Sequence, residues 1–468
     1  MICPPTLNII EPKEIAIYFF FSTKIFTFPP YNDNGDIMLQ TMNSILWAIA
    51  TSLILITSIY LTFYLRFPQY KLKKIIKSIS SKEKKGISNF SVFMMSLAGK
   101  IGVGSIAGIA LAIYIGGPGS IFWLWIMTII SAVLCYSETI LGNLYKEKDG
   151  EFYKGGPSYY IKKGLGYSKL GSFYAIIIII SYIGCFISIQ TNTITISIRE
   201  IVNVSPYIIG ILLVILSFLM IVKGVKEIAD VSSKIVPLMI IFYLLSGLFI
   251  VIKNINQIPS IFSLILTSAF EWKPFISGFL TSFIVGIQRG IFATESGLGT
   301  SSIASSVSNT DHSINLARMQ MLGVYLTSFI VCTLTAFIIL SSNYIDIDFN
   351  SINGIEITEN AFLYHIPKFG HYIVVISIFF FAFSTILTGY YYGESSYKYL
   401  DKKVNNIKIM ILKIITLLMV FLGCVTSPTV LWNFVDILVA VIAIINTYAI
   451  IKLKKDIYDI TIVENSKK

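Results

Sequence analysis

Apolar residues fall into eleven runs, at about 43–65, 90–116, 119–145, 170–199, 204–223, 232–253, 273–294, 313–341, 367–399, 405–425 and 428–452. A helix needs roughly 20 residues to cross the hydrocarbon core of a bilayer. Each run is near that length, so the pattern predicts an all-α integral membrane protein with about eleven transmembrane helices. Two runs carry polar, glycine-rich interruptions. Residues 101–108 read IGVGSIAG, and the seventh run ends in RGIFATESGLGTSS (289–302). Five runs separate the starts of these two, so runs two to six and seven to eleven form two sets. An odd number of spans per set inverts the second relative to the first.

Backbone polar groups cannot be left bare in lipid, so a break survives only where it lines a cavity and its groups find partners. Half-helix N-termini offer N–H donors and partial positive charge to an anionic group. Carbonyls freed at the opposite half-helix end offer oxygens to a cation. Such a site suits a zwitterionic amino acid together with a cation. Gly104 and Gly108 alone also fit the small-residue spacing of a helix packing face. The second break, at the corresponding position, favours a binding site between two inverted halves.

Composition agrees with the membrane reading. The 468 residues are 55% hydrophobic and 13% charged, against roughly 25% charged in soluble domains. The net charge of +11 raises nucleic acid as a partner, but the basic residues cluster in loops. Residues 66–90 hold eight Lys/Arg, 146–169 six, 223–234 three, 398–408 four, and the tail after 451 five. These loops alternate, so the positive-inside rule places them in the cytoplasm of a plasma (inner) membrane protein. The N-terminus is then outside and the C-terminus inside. The intervening 343–366 loop is acidic, with Asp346, Asp348, Glu356 and Glu359. Cysteines 3, 135, 185, 332 and 424 show no CxxC or Cys/His spacing, which supports neither a disulfide framework nor zinc. Three scattered histidines supply no enzyme centre, and no cofactor is expected.

The stretch IAIYFFFSTKIFTF (15–28) is short for a span and interrupted by Lys24. We expect the working protein to begin near Met38, with residues 1–40 a dispensable extension. The remaining division is a peripheral first helix with its basic loop (41–89), a first five-helix repeat (90–254), a second (255–453) and a tail (454–468).

Several blocks in order resemble the alanine or glycine:cation symporter family of secondary transporters. They are GVGSIAGIALAIYIGGPGSIFWLW (102–125), GGPSYYIKKGLG (155–166), GIQRGIFATESGLGTSSIA (286–304) with TDH (310–312), and FAFSTILTGYYYGE (381–394). Weaker agreement runs through 44–69, QTN (190–192) and 431–446. The resemblance implies a five-plus-five inverted-repeat, leucine-transporter-like fold with a peripheral first helix. It also implies alternating-access uptake of alanine or glycine with sodium, or less often protons. By position it implies substrate contacts at Gly104, Ser105, Gln190, Phe292, Thr294, Gly297 and Thr385, with Gly389 in the pocket wall. The cation set it implies is Ala98, Ile101, Ser384 and Thr385, in keeping with sodium's preference for hard oxygen ligands.

The departures from the family pattern matter. Ser105 stands where the family usually has Asn, Thr294 where it has a second Asn, and Ser296 where it has Ala. Gly389 replaces a frequent Trp and would open the pocket, which predicts a substrate larger than glycine or alanine. A carrier of a different amino acid or osmolyte on this fold is the closest rival; a channel or transport-dead sensor is a second. Lys100 and Arg289 lie in or beside the broken spans, where they either gate or pair, or snorkel. Glu138, Glu295, Glu394 and Asp436 are their candidate partners, or proton carriers if coupling is to protons. Asp311 reads as a helix cap before His312, and His365 and His371 as outer-surface residues. Gly116-Gly117-Pro118-Gly119 reads as a tight turn.

Overall fold

The computed structural model describes residues 34–78, 87–271, 277–309, 313–342, 354–401, 403, 405–426 and 428–466. The 15–28 stretch, Asp311, His312, Asp346 and Asp348 lie outside them. The architecture is nearly all helical. In chain order the helices are α1 (Asn34–Tyr64), α2 (Leu72–Ser78), α3 (Asn89–Lys100), α4 (Ala107–Gly116), α5 (Gly119–Leu144), α6 (Pro157–Leu165), α7 (Ser168–Ile201), α8 (Pro206–Ile221) and α9 (Val225–Lys253). They continue as α10 (Ile258–Ala269), α11 (Ser277–Thr294), α12 (Thr300–Ser306), α13 (Ser313–Leu340), α14 (Gly354–His365), α15 (Gly370–Leu400), α16 (Asn406–Val425), α17 (Pro428–Lys452) and α18 (Lys454–Ser466). Among the described residues, eight helices are long and apolar enough to cross a membrane.

Two interrupted helices, α3–α4 and α11–α12, form the middle of the molecule. Around them stand α5, α7, α13 and α15. About 67% of the apolar window of α5, α13 and α15 is buried, against 28% for α9 and α16, so the former make the core and the latter face lipid. Helix α1 packs on α17 and α5. Small residues let the central helices meet. A side chain at Gly286 of α11 would run into the Ser120 carbonyl of α5. Buried hydroxyls return their hydrogen to the preceding turn, as Thr128 does to Leu124 O and Ser137 to Val133 O. That gives each of these donors a partner in an apolar interior.

Helix ends follow local chemistry. Ser88 caps α3 by accepting from Ser91 N at 3.0 Å, and Asn405 caps α16 from Lys408 N at 3.0 Å, each satisfying a donor the first turn cannot. The Gly-Gly-Pro-Gly segment between α4 and α5 forms the tight turn expected of it, with Gly117 at φ +69°. The basic 146–169 loop carries a two-stranded antiparallel hairpin, β1 (Glu147–Asp149) and β2 (Phe152–Lys154). Gly150-Glu151 makes its two-residue turn, with Gly150 at φ +62° in the first turn position, where glycine is favoured. Two helices contain π-helical segments, Ile179–Phe186 in α7 and Leu326–Cys332 in α13.

Candidate functional site

The first break forms where α3 stops at Lys100. The chain unwinds through Ile101 and Gly102, makes one 3-10 turn at Val103–Ser105, and resumes as α4. Several backbone groups here are met by side chains from other helices. Thr385 Oγ1 on α15 donates to Ala98 O at 2.8 Å, and Thr388 Oγ1 to Met95 O at 3.2 Å. Val103 N–H donates to Gln190 Oε1 at 3.2 Å. Ser105 O accepts from Thr335 Oγ1 at 3.1 Å. Gly102 is where the approach is closest: a Cβ there would lie 2.7 Å from Thr385 Oγ1 and 3.2 Å from Gln190 Oε1. The Phe292 ring covers Gly104, 3.0 Å from where a Cβ would be.

Ala98, Ile101, Gly104, Gln190, Phe292 and Thr385 therefore meet at one place. Other expected residues point elsewhere. The Ser105 hydroxyl turns back toward Lys100 O at 3.4 Å. Ser384 donates to Phe381 O and rests 3.7 Å from Met239 Sδ on α9, away from Ala98 O. Thr294 folds over its own helix end, donating to Gly290 O at 2.8 Å. Gly297 lies on the α5 side of the second break, with Leu134 its nearest neighbour. Gly389 is one turn beyond Thr385 and faces Ile187 and Tyr182; a Cβ there would make only ordinary contacts, the nearest at 3.5 Å.

The second break, Glu295–Gly299, is tighter. Glu295, Gly297 and Gly299 all have positive φ, at 51°, 84° and 84°. This backbone suits glycine and is uncommon for any other residue. The surrounding helices hold it in place. Glu138 Oε2 accepts from Gly299 N–H at 2.9 Å and from Asn446 Nδ2 at 3.0 Å. Asn446 Nδ2 also donates to Gly297 O at 2.8 Å, and Tyr174 donates to Leu298 O. Glu295 accepts from Tyr182 at 2.9 Å and Thr300 at 2.8 Å.

On the side of the basic loops the two broken helices are tied together. Lys100 Nζ, 2% exposed, donates to Ser96 at 3.2 Å and to Ser301 of α12 at 2.6 Å. Ser308 donates to Asn89 at 2.8 Å, and Lys146 to Ser308 O at 2.6 Å. Lys100 does not snorkel; it pairs across the breaks. Glu394 instead pairs with Lys398 at 2.9 Å.

On the opposite side an aromatic row, Tyr182–Phe186–Phe292–Trp432, runs past the first break. Its stacked centroids are 4.6 and 5.3 Å apart, with 5.5 Å to Trp432. Arg289 lies over Phe292 and Trp432 at 5.9 and 5.5 Å, near Asp436. Helix α14 covers this side, with Gly354 set on the Ala107 carbonyl. Its Glu359 is buried against Ser197, with His371 Nδ1 4.0 Å away. Burial pushes the Glu359 carboxyl up to about 8. The folded protein thus holds a proton there that the unfolded chain releases above its ordinary carboxylate range. Stability conferred by this group is full at low pH and lost as pH rises through about 8. Melting of the purified protein should fall between pH 5 and 8.5, and Glu359→Gln should flatten that slope.

Val103, Thr335, Thr388, Phe186, Trp432 and Asn446 were not among the expected site residues. Thr388 had a signal, since it sits three residues after Thr385 on the same helical face. Val103 lies within the first break itself, and Trp432 and Asn446 within the 431–446 block; Thr335 and Phe186 are joined only by the fold.

Two facing helix breaks, each served by side chains from neighbouring helices, define an integral membrane carrier rather than an enzyme. The family model for the sodium:alanine symporter family matches residues 32–464, and the chain belongs to that family. It is 33% identical over 423 residues to the probable sodium/glutamine symporter GlnT of Bacillus subtilis, covering 89% of this chain and 88% of that one. It is 33% identical over 433 residues to the sodium/alanine symporter AgcS of Methanococcus maripaludis, covering 89% and 94%. Among solved structures, a manganese transporter mutant from Eremococcus coleocola aligns with TM-score 0.53 over 78% of this chain and 79% of that one. At 12% identity that likeness concerns the fold alone.

Proposed function

We propose that the protein is a sodium-coupled symporter of a neutral amino acid larger than alanine, working by alternating access. The observation that carries the reading is the first break itself. Gln190 Oε1 sits on the Val103 N–H, the place a substrate carboxylate oxygen would take near Gly104 and Ser105. Thr385 sits on the Ala98 carbonyl, where a sodium ion would be ligated by both oxygens together with Ile101 O. Ser384 would join by rotating its hydroxyl from Phe381 O. The cation enters first and draws the loosened backbone together; the amino acid then displaces Gln190.

The absence of a side chain at Gly389 supports the larger substrate. A Cβ there would make only ordinary contacts with Ile187 and Tyr182, beside the aromatic row, and the kinship to a probable glutamine symporter points the same way. Residues 90–254 and 255–453 serve as the two inverted repeats. The basic loops, with the closed ends of α3 and α12, face the cytoplasm.

Proteoliposomes offered labelled glycine, alanine, serine, leucine and glutamine, with and without a sodium gradient, test this directly. Sodium-driven accumulation of a substrate larger than alanine is expected. Gly389→Trp should shift preference toward alanine and glycine by about tenfold or more, since each methylene a pocket rejects is worth roughly 1–3 kcal/mol. If glycine and alanine alone compete in the unaltered protein, the enlarged pocket is wrong. Fast flux without counterflow would mark a channel instead.

A further inference from the structure

We infer that the turn and short helix at residues 66–78 form a binding site for an anionic phospholipid on the basic-loop side of the membrane. The segment, RFPQYKLKKIIKS, carries five basic residues and no acidic one. Among the described residues, no carboxylate lies at ion-pair distance from Arg66, Lys71, Lys73, Lys74 or Lys77. The basic 146–169 loop is different. Its Lys154 is neutralised in place by Asp149 at 3.5 Å and its Lys163 by Glu147 at 3.1 Å, while Asp149 also takes Lys398 of α15 at 2.9 Å. Both segments satisfy the positive-inside rule, but only 66–78 keeps its charge for a ligand.

The chain is shaped to hold these charges at the membrane surface. Arg66 and Phe67 both have positive φ, at 59° and 56°, a region few non-glycine residues enter. The reversal is held from two sides: Gln69 Nε2 donates to Thr62 Oγ1 at 2.6 Å, and Tyr325 of α13 donates to Gln69 O at 2.8 Å. Helix α2 then rests on α13, with Ile75 and Ser78 buried. Leu72 and Ile76, four residues apart, make one exposed stripe, and Lys73 and Lys77 the next. Phe63, Phe67 and Tyr70 are exposed beside them, with successive ring centroids 5.2 and 6.0 Å apart. Aromatic rings in this position mark the headgroup level.

Lys71 joins the two elements. Partial burial, and after it the charges of Lys74, Arg318 of α13 and Arg66, hold its ammonium below the usual lysine range. Like charges gathered from distant parts of the chain repel unless an anion sits among them. A lipid phosphate supplies that anion, and its acyl chains lie along Leu72, Ile76 and Phe67. A soluble anion would answer the charges but not the apolar stripe. The bound lipid ties α2 to α13, on which α3 also packs, and so braces the wall behind the first break.

The test compares the purified protein in mixed micelles of detergent with phosphatidylcholine and with phosphatidylglycerol. Two quantities are read: the melting temperature, and the phosphatidylglycerol retained per protein after detergent washing, counted by mass spectrometry. Phosphatidylglycerol should raise melting of the unaltered protein, and a molecule of it should stay bound. Lys71→Gln combined with Lys74→Gln should weaken its binding about thirtyfold, since each cation near a charged membrane is worth about 1 kcal/mol and 1.4 kcal/mol is about tenfold. In phosphatidylcholine this variant should melt no lower than the unaltered protein, because it carries less internal repulsion. Lys154→Gln combined with Lys163→Gln removes the same charge from the paired loop and should retain phosphatidylglycerol as the unaltered protein does. Three results overturn the inference: phosphatidylglycerol neither retained nor stabilising, both double variants losing it alike, or inorganic phosphate in phosphatidylcholine reproducing the whole shift, which would make this a soluble-anion site. The retention count decides even for a variant that melts early. Neither quantity involves transport, so the carrier reading and the lipid site stand or fall separately.

Discussion

Replacing Thr385 by Ala is expected to raise the sodium concentration for half-maximal uptake by about ten- to a hundredfold. The Thr385 hydroxyl donates to the Ala98 carbonyl at 2.8 Å, and it ties α15 to the end of α3. Its removal deletes a proposed cation ligand and strips a buried carbonyl of its partner. Such a loss costs about 1–3 kcal/mol, and each 1.4 kcal/mol is about tenfold in affinity. Ser384→Ala should do less, because its hydroxyl rests on Phe381 O and Met239. Initial rates over a sodium series, at fixed amino acid, read both variants. Unchanged sodium dependence in Thr385→Ala would remove that residue from the cation set.

The second large effect concerns folding. Gly299→Ala should lower the stability of the purified protein severely enough to reduce its yield from membranes. Gly299 has φ +84°, where an L side chain costs roughly 1–2 kcal/mol. Its Cβ would also press into Pro157 and come within 2.5 Å of the Tyr174 hydroxyl, and overpacking adds about 1–3 kcal/mol. Gly297→Ala shares the backbone penalty, but its first neighbour is Leu134 Cδ1 at 3.1 Å, so a smaller loss is expected. Gly389→Ala meets nothing closer than 3.5 Å and should melt like the unaltered protein. Thermal unfolding in one detergent ranks the three, and Gly299→Ala melting with the unaltered protein would sink the argument.

Much of this could be read along the chain. The long apolar runs, the two glycine-rich breaks and the family were all visible, because lipid imposes length and continuity on spanning helices and leaves exceptions conspicuous. Lys100 and Glu138 stood out as charges in apolar runs. Their arrangement did not: Lys100 meets Ser301, 201 residues away, and no periodicity reports that. Ser105 and Thr294 show a different limit. Both lie at the breaks as expected, yet their hydroxyls serve their own chain segment. A small polar residue at a helix end has a local backbone partner within reach, and sequence position alone cannot say which partner it takes.

The π-helical segment in α7 has a consequence for timing within the molecule. Tyr174, which holds Leu298 O, and Gln190, which holds Val103 N–H, flank that segment. On an uninterrupted α-helix, residues so spaced would point about 160° apart. The wider π turn absorbs much of that angle, so one face of one rod grips both breaks. Any rotation of α7 about its axis then loosens or tightens the two halves in the same stroke, as a camshaft sets two valves.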